Sequence, residues 1–69
     1  MSDPVYKIIE LTGSSKTSLE DAIQTAINKA AKTIHNMKWF VVTEQRGYID
    51  KDTVAYYQVT LKIGFTLDG

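Results

Sequence analysis

The stretch from Thr53 to Leu67 sets Tyr57, Val59, Leu61, Ile63 and Phe65 in alternation with Tyr56, Gln58, Thr60, Lys62 and Gly64, the period-two signature of a strand with one buried and one different face. At ~3.3 Å per residue the run from Thr53 to Phe65 approaches ~40 Å, longer than a helix of about 18 residues at ~1.5 Å each. Two further runs rich in β-branched and aromatic residues read as strands: Val5 to Thr12, ending at Gly13, and Trp39 to Tyr48, followed by the polar turn Ile49 to Asp52. Only one segment has helical spacing. Leu19, Ala22, Ile23, Ala26, Ile27, Ala30 and Ile34 recur at steps of three and four and draw one apolar stripe over about four turns. Thr17 with Glu20 and Ser18 with Asp21 give two overlapping start signals, and acidic residues at the start with Lys29, Lys32 and His35 towards the end match the helix dipole. The expected fold is α+β in the order β-α-β-β, a three-stranded antiparallel sheet curled around one helix.

One helix covers only one side of such a sheet. If the last two strands form a hairpin in which Tyr48 pairs with Thr53, then Phe40 and Val42 fall beside Val59, Leu61 and Ile63 and receive the helix stripe. Trp39, Val41, Thr43 and Gln45 then share the opposite face with Tyr56, Gln58, Thr60 and Lys62, an assignment that one bulge would shift. Nothing else in the chain covers that face. An apolar surface carrying Trp39, Val41 and Tyr56 must meet another copy, a ligand, or both.

With 69 residues, the chain is expected to form a single domain over 1–69, too small to enclose an active site of the dinucleotide, kinase or hydrolase type. Eight Lys plus Arg balance eight Asp plus Glu, so there is no general attraction for nucleic acid or an anionic membrane. Cysteine is absent and histidine occurs once, which excludes disulfides and thiol catalysis and leaves little for a metal site. The start Met1-Ser2-Asp3-Pro4 lacks the basic and apolar character of a signal peptide, and a cytoplasmic location is expected.

The candidate motifs are few. Gly13-Ser14-Ser15-Lys16-Thr17 stands between strand and helix, where phosphate loops sit, but lacks the second glycine before the lysine and reads as a turn with a helix cap. Asp50 and Asp52 read as turn residues, and His35 as a dipole partner or a solvated residue rather than a ligand. Trp39 either fills a subunit interface or offers a flat surface for stacking an aromatic ring. Gln58 carries donors and acceptors that could read the edge of a heterocycle, and Arg46 could fork onto a phosphate or pair with Glu44.

Trp39-Phe40, Glu44-Gln45-Arg46-Gly47 and Tyr57-Gln58-Val59-Thr60-Leu61-Lys62-Ile63-Gly64-Phe65, after Val5-Tyr6-Lys7 and the Thr17-Ser18 helix start, resemble the dodecins over nearly the whole chain. The resemblance implies a hollow homododecamer of cubic 23 symmetry that binds flavin, FMN or riboflavin, for storage and photoprotection rather than catalysis. Carried onto this sequence, it has Trp39 stacking on the isoalloxazine ring, with paired flavins held between two indoles, Gln58 bonding the pyrimidine edge, and Arg46 near the ribityl or phosphate end. Some bacterial dodecins resemble coenzyme A binders. Here Lys29 and Lys32 match the helix part of that pattern, but Thr66 stands after Phe65 where a basic residue is expected. The other alternative is a structural oligomer or interaction module without flavin.

Overall fold

The computed structural model describes residues 3–67, so Met1 and Ser2 of the N-terminal reading lie outside the described residues. Four elements follow in order: β1 (Tyr6–Ser15), α1 (Leu19–Ala30), β2 (Met37–Asp50) and β3 (Thr53–Thr66). Both strand pairs are antiparallel, and β3 lies in the centre of the order β1-β3-β2. The expected β-α-β-β fold is therefore the observed one. Ala22, Ala26 and Ala30 of α1 bury against Val59, Leu61 and Ile63 of β3, with Ile9, Leu11, Ile23 and Ile27 packed around them.

β1 does not stop at Gly13, as the sequence reading had it, but continues to Ser15. Gly13 is a strand residue at a point where the helix backbone closely approaches the sheet. A Cβ there would collide with the Ala22 carbonyl oxygen and stand 2.9 Å from the Ala26 Cβ. Ser15, only 8% exposed, then organises the helix start. Its Oγ accepts from the Thr17 N–H at 2.9 Å and the Ser18 N–H at 3.3 Å, and it donates to Asp21 Oδ2 at 2.6 Å. Of the two expected caps, Ser18 is the one used, its Oγ accepting from the Asp21 N–H at 3.0 Å.

The helix is shorter than its apolar stripe implied, ending at Ala30 so that Ile34 lies in the connection. Twelve residues at ~1.5 Å span ~18 Å, against ~46 Å for a strand of fourteen at ~3.3 Å. The outline is correspondingly long and thin, 56 × 21 × 13 Å. α1 packs against β1 and β3 and leaves β2 uncovered. Phe40 and Val42 do face the helix side, opposite Ile63 and Leu61, yet they remain 45% and 40% exposed rather than forming core. β2 is exposed at every position except Met37 and Arg46.

The hairpin turn is tighter than Ile49 to Asp52. Asp50 pairs with Thr53, leaving Lys51 and Asp52 at φ 51° and 67° as a two-residue turn, the doubly left-handed form that matches strand twist. Register irregularities lie between Met37 and Trp39, Val42 and Glu44, and Tyr48 and Ile49. The second of these corrects the face assignment. Beyond Thr43, Gln45 lies opposite Val59 on the helix side, and Arg46 takes the open side opposite Gln58, while Tyr48 pairs with Tyr56.

The close approach at Gly13 yields a test. Gly13→Ala should destabilise the fold by about 2 kcal/mol or more, because the obstacle is backbone and cannot rotate away; an unchanged thermal midpoint would contradict the packing described.

Candidate functional site

The side of the sheet away from α1 carries three rows. From β1 come Tyr6, Ile8, Glu10, Thr12 and Ser14; from β3, Tyr56, Gln58, Thr60, Lys62 and Gly64; from β2, Trp39, Val41, Glu44, Arg46 and Tyr48. Cross-strand pairing places these residues on one face, with the β2 row changing step at the bulge between Val42 and Glu44.

Trp39 sits at the end where β2 enters the sheet, paired with Gly64. A Cβ on Gly64 would overlap the indole atoms Cε2 and Cζ2 and lie 2.7 Å from Cη2. The indole therefore lies across the bare backbone of β3, and Gly64 is buried beneath it. Trp39 nevertheless stays 39% exposed. Tyr6 flanks it at a centroid distance of 6.0 Å and a tilt of 47°. A concavity of about 160 Å³ beside it, between Ile27, Phe40 and Ile63, opens on the helix side.

Gln58 and Arg46 meet further along the sheet in a polar row that crosses all three strands. Gln58 Nε2 donates to Ser14 Oγ on β1 at 3.1 Å, and Gln58 Oε1 accepts from Arg46 Nη1 on β2 at 3.1 Å. Arg46 Nη2 donates to Thr60 Oγ1 at 3.3 Å and forms an ion pair with Glu44. The Thr60 hydroxyl shares a 2.8 Å hydrogen bond with that of Thr12. Thr43, at the bulge, donates to Glu10 Oε2 at 3.3 Å and to the Thr60 carbonyl at 3.2 Å. Beyond this row Tyr48 and Tyr56 stack at 4.6 Å with an interplanar angle of 15°.

The structure thus brings Arg46 to Gln58 but keeps both apart from Trp39. Gly64 and Gln58 are six residues apart on one strand, ~20 Å at ~3.3 Å per residue, more than a three-ring heterocycle spans. Sequence reasoning missed Ser14, which it read as a turn residue, and Gly64, whose place within an alternating strand is itself a sign of close approach. Glu44, expected as a possible partner of Arg46, is its partner in the structure. Among the described residues no three His, Cys, Asp or Glu side chains gather as a metal-binding group, and no helix is long and apolar enough to cross a membrane.

Comparison with known proteins places the chain in a family. Residues 5–68 match the family model of the dodecins. The dodecin of Thermus thermophilus is 48% identical over 64 residues, 93% of either chain. Among solved structures, the dodecin of Streptomyces davaonensis superposes with a TM-score of 0.93 at 40% identity, covering 99% of this chain and 100% of its own. The calcium dodecin of Mycobacterium tuberculosis is 30% identical over 63 residues, 91% of this chain and 89% of its own. Its crystal structure, described as having a novel calcium-binding site, superposes with a TM-score of 0.80. From the match across 5–68 and the shared sheet-and-helix architecture, this chain is a member of the dodecin family.

Proposed function

We propose that this protein sequesters and stores a flavin, FMN or riboflavin, by stacking it on Trp39 within a symmetric assembly of twelve copies. The observation that carries the reading is the seating of Trp39: the indole rests on the bare backbone at Gly64 and keeps 39% of its surface exposed on a sheet face that no helix covers. An indole held this way is a platform for a flat aromatic ring, which gains dispersion and hydrophobic burial there.

The residues fit a flavin. Gln58 has one amide N–H and one oxygen lone pair beyond those used by Ser14 and Arg46, a donor and an acceptor side by side for the imide N–H and carbonyls of the pyrimidine edge. Because Trp39 and Gln58 of one chain stand ~20 Å apart along β3, a ring on Trp39 meets a Gln58 amide only from another copy. The two uncovered sides of β2 ask for two different contacts, more than one isologous dimer contact supplies. Bound flavin supplies light absorption and an electron-accepting excited state, which a stacked indole quenches.

Sequestration is preferred to catalysis because rings clamped between indoles leave no room for a substrate beside them. Coenzyme A is less favoured: Lys29 and Lys32 are exposed around the end of the helix, but Thr66 brings no charge to the strand that would complete the site. A calcium role like that in the name of the mycobacterial relative finds no cluster of donors among the described residues.

Two experiments test the reading. Titrating flavin-free protein into FMN and into riboflavin should quench flavin fluorescence and saturate near one flavin per chain, and Trp39→Ala should weaken binding by roughly tenfold or more and restore emission. A Trp39→Ala protein with full affinity and full quenching sinks the proposal, and wild-type protein that never quenches returns Trp39 to a structural role. Gly64→Ala, in turn, should lift the indole from the sheet, shift tryptophan emission and weaken flavin binding while the protein stays folded; unaltered emission and affinity would show that the seat does not matter.

A further inference from the structure

An amide such as that of Gln58 is nearly symmetric in shape, so it fits its place equally well with oxygen and nitrogen exchanged. Its neighbours break the symmetry. On the β2 side stands Arg46, whose guanidinium only donates, and Nη1 reaches Gln58 Oε1 at 3.1 Å. Turning the amide over would set its NH2 group against another donor. On the β1 side stands the Ser14 hydroxyl, 3.1 Å from Nε2, which accepts in the observed orientation and could donate in the other. Arg46 therefore sets the polarity of the amide and Ser14 follows it. Arg46 is itself held from its far side, with Nη2 engaged by Glu44 and Thr60.

We propose that Arg46 and Ser14 are positioning residues that lock the Gln58 amide in one orientation, with Glu44 holding Arg46 in that row, so that Arg46 acts on the flavin ring through Gln58 rather than on a phosphate. The inference rests on the flavin reading above and goes beyond it in one respect: it changes which part of the ligand senses Arg46. A guanidinium engaged by Gln58, Thr60 and Glu44 is held along the sheet row rather than left free to follow a phosphate. The locked amide also gives the site a direction. Its acceptor lies towards β2 and its donor towards β1, so a bound imide N–H points to the β2 side and the adjacent carbonyl to the β1 side.

The test compares flavins with and without phosphate. Affinities of the assembled protein for riboflavin and FMN are measured by flavin fluorescence for wild type, Arg46→Ala, Ser14→Ala, Ser14→Thr and Glu44→Gln. Arg46→Ala should weaken both ligands by roughly tenfold, the worth of one charge-assisted hydrogen bond, with the FMN-to-riboflavin ratio unchanged. Ser14→Ala should weaken both by a smaller, equal factor, and Ser14→Thr, which keeps the hydroxyl, should recover most of that loss. A loss in Arg46→Ala confined to FMN would overturn the proposal and make Arg46 a phosphate anchor, leaving the flavin reading intact. Glu44→Gln serves if Arg46→Ala fails to assemble: it should weaken both flavins alike, and a selective gain for FMN would overturn the proposal. Side-chain ¹⁵N spectra of the flavin-free protein give a reading that needs no ligand. The one Gln58 amide proton that bonds Ser14 should be protected from solvent exchange in wild type and lose protection in Arg46→Ala and Ser14→Ala; equal, unprotected exchange of both amide protons in wild type would overturn the lock however flavin binding turned out.

Discussion

A helix of twelve residues laid along strands of fourteen cannot cover them, and most of what is distinctive in this chain follows from that mismatch. The helix takes the only strip it can seal, over β1 and the central β3, and comes close enough there that position 13 must be glycine and the facing helix residues alanine. What remains is an edge strand, β2, with apolar side chains on both sides: Phe40 and Val42 towards the helix layer, Trp39 and Val41 away from it. Exposed apolar surface on both sides of one strand is what subunit contacts would cover, and it is the surface that the proposed assembly uses.

The bulge at Thr43 decides what the far end of the open face can do. Before it, β2 alternates in step with β3 and presents Trp39 and Val41; after it, the step is shifted by one, and Glu44, Arg46 and Tyr48 take the open side. Without the extra residue Gln45 would lie beside Gln58, and Arg46 would point to the helix layer. The face is thus divided into an apolar, aromatic end around Trp39 and Tyr6 and a polar end around Gln58, too far apart to serve one ring within a single copy. Assembly and binding are then one problem. In the proposed assembly, the contacts that would cover β2 are also those that would bring one chain's indole to another chain's amide.

Much of this could be read from the residues. The single helical stripe, the long alternating strand and the uncovered face follow from periodicity, and Trp39 and Gln58 stood out by residue type and face. Among the features that did not follow, three show why. The end of β1 was hidden because Gly13, Ser14 and Ser15 have turn composition; the close helix approach and the buried Ser15 cap make them strand. The helix end was overestimated because Ile34 keeps the spacing after the backbone has left the helix. The register beyond Thr43 was hidden because a bulge leaves no compositional trace, and so the row Ser14, Gln58, Arg46 and Glu44 could not be assembled from spacing.

The measurement that bears most directly on the central claim is the native mass of the ligand-free protein across a dilution series, by native mass spectrometry or sedimentation. If the two uncovered sides of β2 are subunit contacts, a single species of twelve chains should persist at submicromolar concentration. A folded, soluble monomer with Trp39 and Phe40 open to solvent would contradict the claim.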